Sequence, residues 1–194
     1  LSGELRVKGK QGHIAYPENV INPIFLSSDL IVKLKNQVWD NGNAIFQPTS
    51  FQISNISSGT GAKNVVPGHL DMLFNFRFST ESTESSLRKE FESIVDSLDF
   101  DYEIEWNLSG LPYLTTENTL KDIVVNSIKK EAGIDADKNA KGGTSDGRFI
   151  AKMKTEIIEL GPLNKTIHQI DECVSIADLE LLKNIYLDVL KELN

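Results

Sequence analysis

The sequence predicts an α/β protein in two parts: an α+β domain of the ferredoxin-like type over residues 1–112, and part of an α/β domain over residues 113–194. In the first part, the pattern of hydrophobic residues predicts the order β-α-β-β-α-β. That order is typical of a four-stranded antiparallel sheet with two helices on one face. In the second part, two helices flank a predicted strand, and a strand cannot leave its backbone groups unpaired in a core.

Four strands are predicted in the first part from residues that alternate between apolar and polar. Residues 3–9 place Leu5 and Val7 on one face and charged residues on the other, the period of a half-buried strand. The same reasoning predicts strands at about 50–57, 69–79 and 101–107. In the strand at 69–79, Phe74, Phe76 and Phe78 mark the face that packs on the core.

Two helices are predicted between these strands. Asn22 is a typical N-cap residue, and Pro23 after it suits the first turn of a helix. A helix is therefore expected over about 22–38. Apolar residues at helical spacing predict a second helix over about 81–98.

The second part begins with a helix expected at about 117–132, which ends at Gly133. Another is expected at about 176–192, where Ser175 and Asp178 resemble a capping pair. Between them, residues 155–160 predict a strand, and a shorter one is considered near 137–140. Residues 113–194 are therefore expected to be the tail of an α/β domain whose other strands come from sequence before residue 1.

Composition excludes several classes of function. Twenty basic against 28 acidic residues give a net charge of −8, which repels nucleic acids and anionic membranes. No apolar run has the length of a membrane span, and the first residues do not form a signal peptide. The one cysteine, Cys173, is expected to be structural, as is His69, and its lack of a disulfide partner fits a reducing compartment such as the cytoplasm.

Three segments contain residue types suited to chemistry. GKQGHIAYP holds His13 in a glycine-flanked loop after a strand, where it is either a functional or an ordinary surface histidine. KGGTSDGRF holds Gly142, Gly143 and Arg148, and is either an anion site at a helix start or an ordinary glycine turn.

The third segment, GPLNKTIHQIDE, directly follows the strand expected at 155–160 and holds His168. Ligands of open α/β sheets gather beyond the carboxyl ends of strands, so His168 is a candidate metal ligand. Asp171 and Glu172 either orient its ring or are exposed loop carboxylates. Three histidines and one cysteine with no paired-ligand motif do not make a complete zinc site.

Taken together and in this order, the three segments resemble the dinuclear-zinc amidohydrolases, a family that includes acetylornithine deacetylases. NVVPG followed by FNFRFST is similar to the central hairpin of that family's lid, or dimerisation, domain. IEWNLSGLP, GGTSDGRF and GPLNKTIHQIDECV are more similar to the bacterial succinyl-diaminopimelate desuccinylases than to the acetylornithine deacetylases. The resemblance covers essentially all of 1–194.

The resemblance implies an enzyme that hydrolyses N-succinyl-LL-2,6-diaminopimelate to succinate and LL-2,6-diaminopimelate in lysine and peptidoglycan-precursor synthesis. A water that bridges two zinc ions, for which cobalt is a possible substitute, attacks the amide carbonyl in such enzymes. His168 matches the family's histidine zinc ligand. His13 matches the histidine that crosses the dimer to stabilise the oxyanion, a role in which one donor contributes about 3 kcal/mol.

Other residues match positions that handle substrate. Arg77 is suited to gripping a carboxylate, and Arg148 matches less closely because it could serve only to brace the 142–148 loop. The remaining matched positions are Tyr16, Asn64, Ser109, Gly110, Gly143, Thr144 and Asn164.

The family's other zinc ligands and its glutamate base lie in an N-terminal half that has no counterpart here. The chain is therefore expected to be a C-terminal fragment, a complete lid domain with an incomplete catalytic domain, that is inactive alone and dimerises through the lid. The alternatives are a related deacylase or dipeptidase, and a non-enzymatic dimeric ferredoxin-like binding module.

Overall fold

A computed structural model describes residues 1–116, 118–140, 142–143, 145–153 and 155–194. These residues form two compact units, Leu1–Pro112 and Tyr113–Asn194.

The first unit is built on a four-stranded antiparallel sheet. In chain order the unit contains β1 (Ser2–Lys8), β2 (Gly12–His13), α1 (Pro23–Asn36), β3 (Ser50–Ser58), β4 (Val65–Val66), β5 (His69–Arg77), α2 (Glu84–Asp96) and β6 (Tyr102–Asn107). The sheet order is β3-β5-β1-β6, and β2 pairs with β4 in a separate two-stranded ribbon. This arrangement confirms the predicted ferredoxin-like fold, whereas the ribbon was not predicted.

Both helices of the first unit begin at side-chain caps. Asn22 Oδ1 accepts a hydrogen bond from the backbone amide of Ile24 at 3.0 Å, and Pro23 occupies the first turn as predicted. Before α2, Thr83 and Ser86 each accept a hydrogen bond from the other's backbone amide, at 3.0 and 2.9 Å. This reciprocal pair satisfies amide groups that a helix start leaves without partners.

The core of the first unit lies between the sheet and the two helices. Phe74 and Phe76 of β5 are 2% and 1% exposed, which confirms the predicted core face, while Phe78 is partly buried at its edge. The ring of Phe74 stacks on that of Phe91 from α2, with centroids 4.5 Å apart. A Cβ atom at Gly3 would lie 2.4 Å from the Phe74 ring, so glycine on β1 makes room for this aromatic layer.

The second unit packs two long helices against each other. It contains α3 (Thr119–Ala132), α4 (Gly147–Ile150) and α5 (Ile176–Glu192). Gly133 ends α3 in the left-handed conformation with φ of 71°, as the sequence predicts. The small core consists of Val124, Ile128, Ile185 and Val189, and an ion pair between Lys130 and Asp188 joins the two helices.

The strand predicted at 155–160 is not present, and neither is the shorter strand considered near 137–140. Residues 155–160 pack Ile158 and Leu160 on the core of the second unit without joining a sheet within the described residues. The backbone of Ile157 instead pairs with Thr115 Oγ1, which accepts from its amide at 3.0 Å and donates to its carbonyl at 2.7 Å. A strand requires a neighbour to pair with, and an apolar pattern alone does not supply one.

In the part of the chain that the structure describes, no helix combines the length and hydropathy required of a membrane span.

Candidate functional site

The β2–β4 ribbon brings together three of the residues that the resemblance singles out. His13 pairs with Val65 in the ribbon, and the next amide, that of Ile14, donates to the backbone carbonyl of Asn64 at 3.2 Å. The rings of His13 and Tyr16 lie 5.8 Å apart. His13, Tyr16 and Asn64 therefore form one exposed group at the end of the sheet where β1 finishes and β5 starts.

Hydrogen bonding defines the tautomer of a neutral His13. Its Nδ1 accepts from the backbone amide of Ala15 at 3.1 Å, so Nδ1 cannot carry the proton in that form. The proton is then on Nε2. In this form the exposed ring offers a hydrogen-bond donor to a ligand, the property that stabilisation of an oxyanion requires.

Arg77 lies at the opposite end of the sheet. It is the last residue of β5, which begins beside the His13 group at His69. Strands rise about 3.4 Å per residue, which separates the two ends of β5 by roughly 27 Å. The structure therefore does not bring Arg77 and His13 together within one subunit.

Ser109 and Gly110 are found at the same end of the sheet as Arg77. They follow β6, whose last residue, Asn107, pairs with Ser2 of β1. Ser2 in turn pairs with Asn75 of β5, two residues before Arg77. The residues of the first unit that the resemblance matches to substrate positions thus form two groups, one at each end of the sheet.

In the second unit, Glu159 connects the glycine-rich segment to the extended segment 155–160. Its Oε1 accepts from Ser145 Oγ at 2.5 Å and from the hydroxyl of Tyr113. Burial, followed by the hydrogen bond to Glu159, raises the pKa of Tyr113. Gly143, just before Ser145, is exposed, whereas Thr144 lies outside the described residues.

Arg148 lies in the short helix α4. Its Nε atom is buried and forms no hydrogen bond within the described residues, to the Glu159 cluster or elsewhere. Its guanidinium stacks over the ring of Phe149, 4.6 Å from the ring centroid. This contact therefore joins two neighbouring residues of α4.

His168 lies in an exposed loop that follows the extended segment. Its φ is 59°, a conformation that non-glycine residues rarely adopt. Glu172 Oε2 accepts from the backbone amide of His168 at 3.1 Å, so this carboxylate contacts the histidine through the main chain. Asn164 is exposed at the start of the same loop, and its carbonyl accepts from the amide of Ile167 at 3.2 Å.

Cys173 closes the loop through its backbone, which pairs with Thr166, while its residue surface is exposed. His69 is also exposed, and its Nε2 lies 3.7 Å from a carboxylate oxygen of Asp71. The sequence predicts a structural role for both residues. In Cys173 the backbone amide and carbonyl make the structural contacts, and the thiol does not.

The described residues contain no cluster of metal-ligating side chains. Among residues 1–116, 118–140, 142–143, 145–153 and 155–194, no group of three or more His, Cys, Asp or Glu side chains could hold a metal ion. His168 offers one exposed imidazole, and zinc needs about four ligands. The described residues therefore do not fit a zinc site by themselves.

Sequence reasoning missed Tyr113, Glu159 and Thr166 as organising residues. Glu159 lies 14 and 46 residues from its two hydroxyl partners, so no local pattern reveals the cluster. Thr166, seven residues from Cys173, could have been noticed as a hydroxyl residue in a polar loop.

Comparison with known sequences identifies close relatives over the whole chain. The chain is 54% identical over 193 residues to a succinyl-diaminopimelate desuccinylase of Polaromonas naphthalenivorans. It is 51% identical over 193 residues to a succinyl-diaminopimelate desuccinylase of Pseudomonas syringae pv. syringae. All of the chain is covered, but only 48% and 51% of these relatives. The chain thus spans about half the length of the curated relatives it matches.

Solved structures share the fold at lower identity. A tripeptidase from Staphylococcus aureus subsp. aureus Mu50 matches with a TM-score of 0.76 and 22% identity, over 98% of this chain and 50% of that one. An M20 family metallo-carboxypeptidase from Sulfolobus solfataricus matches with a TM-score of 0.76 and 16% identity, over 98% and 57%.

A family model described as the peptidase dimerisation domain matches residues 1–103. Those residues contain the whole sheet except the last four residues of β6. Because the match spans more than half of the 194 residues, the chain belongs to the M20 peptidase dimerisation family.

Proposed function

We propose that this chain is the lid domain and the C-terminal part of the catalytic domain of a metal-dependent desuccinylase. The enzyme hydrolyses N-succinyl-LL-2,6-diaminopimelate to succinate and LL-2,6-diaminopimelate, and it works in the cytoplasm. The observation that carries this proposal is the identity of more than half of the residues, over the whole chain, to a succinyl-diaminopimelate desuccinylase.

The second unit supports its assignment as part of a larger domain. Ile176 and Leu190 on α5 are 80% and 59% exposed, and Leu193, just after α5, is 51% exposed. The backbone of residues 155–160 joins no sheet within the described residues. Exposed apolar residues on a helix, together with an extended segment that joins no sheet, fit a unit that packs against further strands.

In this proposal His13 stabilises the oxyanion that develops on the amide carbonyl. Its Nε2 is the protonated nitrogen of the neutral ring because Nδ1 accepts from the amide of Ala15. Tyr16 and Asn64, which lie next to the ribbon, contact the same substrate.

Arg77 binds a substrate carboxylate, since its planar guanidinium can donate two parallel hydrogen bonds. Because His13 and Arg77 lie at opposite ends of β5, we propose that one active site takes Arg77 and His168 from one subunit and His13 from its partner. Polar or backbone contacts to the product are assigned to Ser109, Gly110, Gly143, Thr144 and Asn164.

His168 is the proposed zinc ligand of this chain. Its imidazole is exposed and therefore open to coordination, and zinc or a substituting cobalt would supply the hydrolytic water. The other ligands for two metal ions would come from a part of the protein that this chain does not contain, since the described residues do not complete a site.

We propose that the lid forms the homodimer through α1 and β3. Phe25 and Val32, two helical turns apart on α1, are 73% and 57% exposed. β3 pairs only with β5 among the described strands, so its other edge is open. A second copy related by a two-fold axis can cover both features, because a two-fold interface places the same patch on each subunit.

A turnover assay tests the proposed reaction. A longer protein that contains this chain and has the relatives' length should release succinate from N-succinyl-LL-2,6-diaminopimelate and bind two zinc ions per subunit. The 194-residue chain alone should do neither. Tight binding of two zinc ions by the short chain, or turnover by it, would show that the assignment of the missing ligands is wrong.

A further inference from the structure

The loop that carries His168 contains two of the three non-glycine residues with positive φ in the described chain. His168 has φ of 59° and Asp171 has φ of 62°. Such residues are strained unless the surrounding structure holds them, and they occur preferentially at functional sites. Contacts within the loop are therefore needed to hold these two residues in that conformation.

The first contact fixes His168 itself. Glu172 Oε2 accepts from the backbone amide of His168 at 3.1 Å, across four residues. This hydrogen bond to the Glu172 carboxylate restrains the amide group of His168, and therefore its φ angle. A charged acceptor forms a stronger hydrogen bond to a backbone amide than a neutral one does.

The second contact closes the base of the loop. Thr166 Oγ1 accepts from the amide of Cys173 at 3.0 Å and donates to the carbonyl of Cys173 at 3.0 Å. The backbone carbonyl of Thr166 also accepts from the amide of Gln169 at 2.9 Å. Thr166 therefore ties the two ends of the segment 166–173 together.

These bonds matter because the imidazole has no other support within the described residues. No hydrogen bond to the His168 ring is found there, and the residue is exposed. The backbone conformation sets the direction of its Cα–Cβ bond and limits which rotamers its ring can adopt. A histidine held in this way is preorganised before it meets a ligand.

We propose that Glu172 and Thr166 are positioning residues that hold His168 in its left-handed conformation. The inference rests on the proposed function, because the purpose of the conformation is to present the imidazole at the active site. The effect of both residues acts through the backbone of His168.

The test begins with the 194-residue chain, in which conformation can be measured without activity. Amide hydrogen exchange and the three-bond coupling between the amide and α protons of His168 report the hydrogen bond and φ. Glu172→Ala should speed exchange of the His168 amide about tenfold or more, because one charge-assisted hydrogen bond is lost. Thr166→Val should also change the coupling, since valine cannot donate or accept.

Conservative variants and a control separate positioning from general damage. Glu172→Gln keeps an acceptor oxygen and Thr166→Ser keeps the hydroxyl, so both should restore most of the wild-type signal. Glu180→Ala, outside the loop on α5, should leave His168 unchanged. Unaltered amide signals of α3 and α5 would show that each variant is folded.

The same variants in the longer enzyme complete the test. Glu172→Ala should lower kcat more than it raises KM, and Glu172→Gln should recover kcat. An unchanged His168 amide in Glu172→Ala would overturn the proposal, as would a changed amide with unchanged kcat in an active enzyme. If the wild-type enzyme does not hydrolyse the succinylated substrate, the proposed function fails, and the exchange data still decide whether Glu172 holds His168.

Discussion

Ser145 Oγ donates a hydrogen bond to Glu159 Oε1 at 2.5 Å. The bond joins the glycine-rich segment around 142–148 to the extended segment 155–160. The hydroxyl of Tyr113 donates to the same carboxylate oxygen, and the amide of Gly147 donates to Ser145 Oγ at 3.0 Å. One carboxylate therefore organises the beginning of the second unit and the start of α4.

Gly147→Ala should disrupt this cluster. A Cβ atom at position 147 would lie 2.4 Å from the Tyr113 hydroxyl and 3.0 Å from Ser145 Oγ. Such overpacking typically costs about 1–3 kcal/mol. Urea unfolding followed through the amides of α3 and α5 should show a loss of this size in the second unit.

Gly161→Ala is the matched control for Gly147→Ala. A Cβ atom at position 161 would meet nothing within 4 Å, so its unfolding free energy should change by less than about 0.5 kcal/mol. Equal effects of the two substitutions would mean that the cluster does not constrain Gly147.

Asp40→Asn should destabilise the first unit. The Asp40 carboxylate accepts from the amides of Gly42 and Thr49 at 2.8 and 2.9 Å, and from Ser82 Oγ at 2.6 Å. Burial acts to raise the pKa of Asp40, but the hydrogen bonds from Ser82 and Thr49 outweigh it and hold the pKa well below its ordinary value. Losing this charged acceptor should lower the unfolding free energy by about 2 kcal/mol at neutral pH.

The pH dependence of Asp40 has a definite sign. A carboxyl group whose pKa is lower in the folded state contributes stability above its unfolded pKa, about 4, and that contribution is lost as the pH falls below this value. The wild-type chain should therefore lose more stability below about pH 4 than Asp40→Asn does. Asp101→Asn, in the exposed turn before β6, is the control and should follow the wild type. Parallel acid profiles of the wild type and Asp40→Asn would contradict this role.

Phe25→Lys should weaken the proposed dimer. Phe25 is 73% exposed on α1, and an interface that covers it would have to bury a lysine charge in the variant. The dimer dissociation constant should rise at least about tenfold, or about 1.4 kcal/mol. Sedimentation velocity across a concentration series measures this change.

Leu73→Lys provides the control for the dimer. Leu73 is 40% exposed on β5 and alternates with the buried residues Met72 and Phe74, so it faces away from the helices. This variant should dimerise like the wild type. A wild-type chain that stays monomeric at high concentration would contradict the proposed interface.

Locally encoded features of the fold were predictable from the sequence. The cap at Asn22, the left-handed end of α3 at Gly133 and the alternation along β5 each depend on residues next to one another. The strand predicted at 155–160 does not form within the described residues, because a strand needs a neighbour and the prediction itself took that neighbour from outside residues 1–194. The β2–β4 ribbon escaped prediction because each of its strands is only two residues long.

The candidate site was predictable only as a set of motifs. The resemblance named His13, Tyr16 and Asn64 without a reason for them to meet, and the ribbon pairing of His13 with Val65 supplies that reason. The resemblance did not reveal that Arg77 lies at the end of β5 far from His13. Long-range pairing of strands sets both relationships, and local sequence patterns do not encode it.

A mixed-subunit experiment on the longer enzyme tests the central proposal, that one active site takes His168 from one subunit and His13 from its partner. His13→Ala and His168→Ala should each be inactive as homodimers. Mixing equal amounts under subunit exchange makes half of the dimers mixed, and each mixed dimer has one intact site, so about a quarter of wild-type succinate release should return. Activity that stays at the level of the separate variants, although subunit exchange is demonstrated, would contradict the proposal that the two histidines come from different subunits.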